Sequence, residues 1–264
     1  LGVRGIIMKE LKDIEKSIIK KYRKEIYRRF IRAINDFDMI QENDVIAVCI
    51  SGGKDSFLLA KCMQELKRHN KIPFKLKFIV MNPGYNRKNL KKIKENAKKL
   101  NINIEIVKSN IFSVVDVYGN KSPCYLCARM RRGALYDYAQ KNGCNKIALG
   151  HHFNDVIETI LLNQLYNGQF SGMLPILDSE HFKKMKLIRP LYYVKEKDIK
   201  SWVKYSELEF LDCACSVTKK NEGKRQEVKQ LIENLLETNE NADINIFNSM
   251  FNVNSNTTKT NKIN

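Results

Sequence analysis

The chain has 264 residues, enough to bury a sizeable core as one large domain, or as one domain with helical additions at its ends. Lys and Arg total 47 against 29 Asp and Glu, a net charge of +18 that favours a polyanionic partner, and no run reaches the roughly 18 apolar residues of a membrane span. The first residues carry neither an apolar signal core nor a small-residue cleavage site, and the seven cysteines are an odd number, so the expectation is a soluble cytosolic protein without a disulfide scaffold.

Residues 9–37 place apolar positions at helical spacing among many basic side chains, including Lys20, Lys21, Arg23, Lys24, Arg28, Arg29 and Arg32. This is a basic helical arm, either an exposed helix packed by one stripe or an arm that tracks a phosphate backbone. Residues 45–50 are short and β-branched, reading as a strand buried on both faces, and Phe57, Leu58, Leu59, Cys62, Met63 and Leu66 then recur at helical spacing. A strand over 74–81 ends at "NPGYN", a helix covers 87–100, a strand 103–107, a helix about 130–142 and a short strand 146–149. Helices follow over 156–166, 195–205 and 225–238, and the polar tail from about Asn254 reads as disordered. The alternation predicts an α/β fold with a doubly wound parallel sheet, whose ligands bind at the carboxyl ends of the strands where strand order reverses. Expected boundaries are a basic arm over 1–38, a catalytic domain over 39–253 and a tail over 254–264.

The most informative stretch is "SGGKDS", residues 51–56, between the first strand and its helix. Gly52 and Gly53 allow positive φ and close approach, so that successive N–H groups form an anion concavity at the positive end of the helix dipole. Lys54 adds a mobile positive charge and Ser51 and Ser56 add hydroxyls. Asp55 can hold a cation or orient the loop. The spacing is not G-x-x-x-x-G-K-[ST], so γ-phosphate machinery is not implied. A plain serine-capped glycine turn would need fewer of these residues. Asn82 in "NPGYN" and Gly150 with His151 in "GHHFND" also follow strand ends and should line the same crevice.

Two further groups carry chemistry. Cys124 and Cys127 stand in C-x-x-C spacing, followed by Arg129, Arg131 and Arg132, and Cys213 and Cys215 come much later. The set suits structural zinc, a redox pair or an iron–sulfur cluster, with zinc leading on spacing alone. Cys49, Cys62 and Cys144 read as small core residues. After the strand at 146–149, His151, His152, Asp155, Glu158 and Thr159 suit Mg²⁺ binding or acid–base chemistry, with helix capping as the plain alternative.

The loop resembles the pyrophosphate-loop signature of ATP pyrophosphatases. Together with "CYLCARMRRGALYDYA", "IALGHHFNDVIETILLN", "LIRPLYYVKEKDI" and the late cysteine, the chain resembles the tRNA 2-thiocytidine synthetase family over roughly residues 20–254. The resemblance implies an ATP-pyrophosphatase (adenine nucleotide alpha hydrolase-like) fold. The implied reaction is ATP-dependent adenylation of a tRNA cytidine carbonyl at position 32, then sulfur insertion dependent on a [4Fe–4S] cluster. By resemblance Lys54, Asp55, Cys124 and Cys127 are catalytic. Ser51, Gly52, Gly53, Lys54, Asp55, Ser56, Asn82, Gly150, His151 and Asp155 bind ATP, and His152 belongs to the same second ATP-site motif. Mg²⁺ sits near Asp55, and Cys124, Cys127 and Cys213 hold the cluster, with Cys215 as alternate third ligand. Arg129, Arg131 and Arg132 hold RNA phosphates. The implied partners are tRNA and a sulfur donor system, cysteine desulfurase or sulfide, with the protein a homodimer. Two features depart from the family pattern, the C-x-C at Cys213 and Cys215 and the strand end "VMNPGYN". Rival readings are a zinc-containing persulfide enzyme, a cluster-free lysidine-type ligase and a non-catalytic nucleotide-dependent RNA-binding module.

Overall fold

The computed structural model describes residues 9–69, 72–109, 111, 123–211, 222–254 and 256, with the side chains of 123–128 and 222 left undescribed. Two compact units form: Leu1–His152 with Pro175–Thr218, and Phe153–Leu174 with Lys219–Asn264.

The first unit opens with α1 (Leu11–Ile19), a π-helical turn over Arg23–Tyr27 and α2 (Arg28–Asp36). Ile14, Ile18, Tyr22, Ile26 and Phe30 are buried at a four-residue interval. Such a row drifts about 40° per step round an α-helix, and the wider π turn takes up part of that drift, keeping one apolar face on the protein. Lys12, Lys16, Lys20, Lys21, Arg23, Lys24, Arg28 and Arg32 are exposed.

The sheet follows: β1 (Val45–Cys49), β2 (Lys75–Asn82), β3 (Ile104–Lys108), β4 (Lys146–Ala148), β5 (Ile176–Asp178) and β6 (Lys186–Ile188). Strand order is β3-β2-β1-β4-β6-β5. All neighbours are parallel except β5 on β6. The parallel α/β expectation therefore holds, with an antiparallel edge and two three-residue strands that the sequence reading did not include. Order reverses between β1 and β4, the two strands that precede "SGGKDS" and "GHHFND".

Helices α3 (Lys54–His69), α4 (Arg87–Lys99) and α5 (Pro123–Lys141) belong to this unit. Ala47, Ile79, Met81 and Ile147 of the strands pack with Leu135, Tyr136 and Ala139 of α5. Ile46 and Val48 alternate to the opposite face of β1. Asn86 caps α4 by accepting from Asn89 N at 2.8 Å. The expected helix at 130–142 begins seven residues earlier, at Pro123, where a proline costs no hydrogen bond because a first-turn N–H has no helical partner.

At the base of the sheet, opposite the strand ends that carry the motifs, Lys146 Nζ meets Asp44 Oδ2 at 2.6 Å and Met39 O at 3.0 Å. Asn145 donates to Asp44 Oδ1 at 2.7 Å and accepts from Val45 N at 2.8 Å. This buried network pins β1 to β4 where strand order reverses. Lys61, fully buried on α3, is held by Glu15 at 2.6 Å, Gln64 at 2.7 Å and Leu100 O at 3.0 Å. α6 (Phe153–Asn167) lies in the second unit and α7 (Glu196–Ser206) in the first. Arg29 and Tyr22 bond Asp198 and Ser201 of α7 at 3.0 Å each.

In the second unit α6 packs with α8 (Glu222–Thr238) and α9 (Ala242–Ser249), the last a helix the sequence reading did not include. Most of the expected tail lies outside the described residues.

Candidate nucleotide site at the strand-order reversal

The loop after β1 is closed by its own serines. Ser56 Oγ donates to Gly53 O at 2.8 Å and accepts from Ser51 N at 3.2 Å and Ser51 Oγ at 3.3 Å. The Ser56 hydroxyl proton thus goes to the loop itself.

The two glycines differ. Gly52 has φ +96°, and a Cβ there would lie 2.9 Å from side-chain carbons of Ile93 and Leu211. Gly53 is not in the positive-φ region and would meet nothing closer than Leu211 O at 3.5 Å. Positive φ, expected at both, is therefore used at Gly52 alone. At the end of β4, a Cβ on Gly150 would lie 3.1 Å from Asp55 C and Ser56 N, so glycine lets this strand end approach the first turn of α3.

Lys54 Nζ lies 3.1 Å from Asp55 Oδ2 and 3.3 Å from Glu196 Oε1 at the start of α7. Burial pulls the Lys54 pKa down, but the two carboxylates outweigh it and hold the ammonium above the ordinary lysine value. Among the described residues Asp55 Oδ1 is buried without a hydrogen-bond partner, 3.8 Å from His152 Nε2. His151 Nδ1 accepts from Arg189 Nε at 3.3 Å, which assigns the remaining imidazole proton of neutral His151 to Nε2.

The strand-end segment at β2 is organised by Asn82. Its Oδ1 accepts from Gly84 N at 3.0 Å and Tyr85 N at 2.7 Å, folding "NPGYN" back so that Tyr85 Oη reaches Ser51 O at 3.2 Å. Arg131 of α5 donates from Nη2 to Tyr85 Oη at 3.1 Å. Arg129 and Arg132 are exposed. Leu211 N donates to Gly52 O at 3.1 Å. Arg189, Glu196 and Tyr85 had no role in the sequence reading, although all three lie in motifs it quoted.

Cys124 and Cys127 stand three apart in the first turns of α5, and Cys213 and Cys215 lie outside the described residues. Among the described residues no group of three metal-ligating side chains comes together. Cys49, Cys62 and Cys144 are free thiols, and burial pushes all three pKa values up, as inert core residues require. In the second unit Asp155 and Glu158 share a face of α6 as expected, and Arg225 of α8 takes both, at 2.6 Å and 2.7 Å. Arg225 was missed. Burial raises the Glu158 pKa against the pull of that arginine.

A glycine-bent loop opening a helix at the strand-order reversal, with a lysine beside it, is an anion site suited to a nucleotide's phosphates. A family model described as a PP-loop domain matches residues 22–235. Curated relatives called tRNA-cytidine(32) 2-sulfurtransferase are 39% identical over 234 residues in Aeromonas hydrophila, covering 86% of this chain and 75% of the relative. The Bdellovibrio bacteriovorus protein of that name is 36% identical, with 93% of each covered. The chain belongs to this tRNA-cytidine 2-sulfurtransferase family of PP-loop proteins. A solved structure, the U34-tRNA thiolase NcsA from Methanococcus maripaludis with its [4Fe-4S] cluster, shares the fold at TM-score 0.70 and 23% identity, covering 87% of this chain and 78% of that one. Among the described residues no helix is long and apolar enough to cross a membrane.

Proposed function

We propose that this protein is a cytoplasmic enzyme that uses ATP to replace the 2-oxo oxygen of a tRNA cytidine, at position 32 of the anticodon loop, with sulfur. The observation that carries the reading is the attachment of the phosphate loop to a helix bearing C-x-x-C, through Arg131, Tyr85 and Ser51 O. In this reading the cytidine carbonyl oxygen attacks the α-phosphorus and the bond to pyrophosphate breaks. The loop N–H groups and Lys54 stabilise the departing charge. Sulfide-level sulfur then adds at C2 as the nucleophile and the former carbonyl oxygen leaves in AMP; sulfane sulfur from a desulfurase reaches that level by two-electron reduction with a thiol reductant. Glu196 and Asp55 keep Lys54 protonated and aimed at the loop. Arg189 orients the His151 ring through its bond to Nδ1.

The donor chemistry fits both implied inorganic groups. Asp55 Oδ1, buried and with no hydrogen-bond partner among the described residues, suits a divalent cation such as Mg²⁺, which would neutralise phosphate charge. Cys124 and Cys127 have the spacing of two thiolate ligands on one helix, and Cys213 is the third cysteine of the set in the sequence. A [4Fe–4S] cluster held by these three would supply an iron without a protein ligand, at which sulfide can bind. The exposed arginines Arg129 and Arg132 and the basic face of α1 and α2 offer charge to RNA phosphates. The sulfur donor is a cysteine desulfurase or sulfide, and the enzyme works as a homodimer.

Protein purified without oxygen tests this directly. The expected result is a brown protein with about four irons and equivalent labile sulfide per chain, which with ATP and unmodified tRNA releases AMP and pyrophosphate and forms 2-thiocytidine in the nucleoside digest. Colourless protein with one zinc per chain would overturn the cluster and favour persulfide transfer.

A further inference from the structure

Two consecutive carbonyls of the phosphate loop are held from outside it. Ser51 O accepts from Tyr85 Oη, and Gly52 O accepts from Leu211 N. In a trans peptide the C=O and the following N–H point in opposite directions, so holding a carbonyl also aims the next N–H. The ties on Ser51 O and Gly52 O therefore set the direction of the N–H groups of Gly52 and Gly53, two successive donors of the kind an anion nest uses, the second of which lies 3.5 Å from Ser51 Oγ.

The tie on Ser51 O has a defined polarity. Arg131 has only donors to offer, so Tyr85 Oη accepts from it and its single proton goes to Ser51 O. The positive guanidinium polarises the phenol and strengthens that second bond. Tyr85 is nearly buried, which keeps water from replacing either partner. Arg131 stands four residues after Cys127 and seven after Cys124, intervals that recur on one side of a helix.

We propose that Tyr85 and Arg131 act in series as positioning residues for the phosphate loop, a role distinct from the RNA-phosphate contact implied for Arg131 by the sequence. This inference rests on the reading of the loop as an ATP site. Tyr85 belongs to "NPGYN", the segment that follows β2 and that Asn82 folds back toward the loop.

The test is a double-mutant cycle on the full chain with Tyr85→Phe, Arg131→Gln and both together, reading the affinity for α,β-methylene ATP, which cannot lose pyrophosphate. Each single variant should weaken binding about threefold to tenfold, the scale of one lost hydrogen bond. The double variant should be no more than about twofold weaker than either single one, because the two act on one peptide. Thermal midpoints should stay close to wild type, since the phenylalanine keeps the packed ring. Unchanged affinity in Tyr85→Phe, or independent multiplying effects, would overturn the proposal. So would an Arg131→Gln variant that loses tRNA affinity but binds nucleotide normally. Wild-type protein that binds no α,β-methylene ATP would instead remove the ATP-site reading itself, so the two failures are separable.

Discussion

The adjacent glycines of the loop make opposite predictions. Gly52→Ala forces a side chain into φ +96° and puts its Cβ 2.9 Å from carbons of Ile93 and Leu211. The backbone strain costs about 1–3 kcal/mol, and crowding two packed side chains adds roughly 1–3 kcal/mol, for a total of about 2–6 kcal/mol. Gly53→Ala meets no atom within 3.5 Å and has no positive φ, so the reduced freedom of the unfolded chain should leave stability unchanged or raise it by about 0.4–1 kcal/mol. At roughly 2–4 °C per kcal/mol for a chain of this size, the two variants should melt at least about 4 °C apart. Urea midpoints for wild type and both variants, with the slope m compared, give the free-energy differences directly. Equal losses in both, or a Gly52→Ala variant as stable as wild type, would refute the assignment of the strained position.

Two other predictions concern the framework beneath the site. Lys146→Met leaves Asp44 charged and buried with only its bonds from Gln41 N and Asn145, at 2.6 Å and 2.7 Å, and should cost about 3 kcal/mol, near the lower end for breaking a buried pair. Urea denaturation measures it, and adding Asp44→Asn should recover more than half of the loss because no unpaired charge then remains. Glu15 gives a pH dependence: burial pushes its carboxyl up, but hydrogen bonds from Arg68 and Lys61 outweigh this and hold it below the usual glutamate value. A depressed acid contributes stability that is present above the unfolded pKa, near 4.5, and disappears as pH falls through the lower folded value. Glu15→Gln should therefore lower stability at neutral pH and flatten its decline below about pH 4.5; a variant with wild-type acid sensitivity would show that this group does not contribute it.

How much of the site was legible depended on distance along the chain. "SGGKDS" announces itself because its glycines, lysine and serines act within one helical turn of the strand they follow. Asp155 and Glu158 could be put on one helical face from their spacing. Their partner Arg225, 70 residues from Asp155, left no local mark. Arg189 and Glu196 were visible as part of a motif, yet nothing nearby says that one bonds His151 and the other Lys54. The strands β5 and β6 escaped for a different reason: three residues are too few to establish alternation, and unlike β4, which is equally short, neither leads into a recognisable ATP-site motif.

By itself the sequence determined the alternating α/β order, the phosphate-binding chemistry after β1 and the family resemblance, because hydrophobic period and turn chemistry are written in neighbouring residues. Tertiary structure alone decided which glycine carries the strain, that Glu196 joins Asp55 in holding Lys54, and that Arg131 reaches Ser51 O through Tyr85. Those outcomes depend on crossovers that bring the ends of β1, β2 and β4 together with segments far away in the chain. A contact of that kind is set by the packing of whole elements, and no local pattern encodes it.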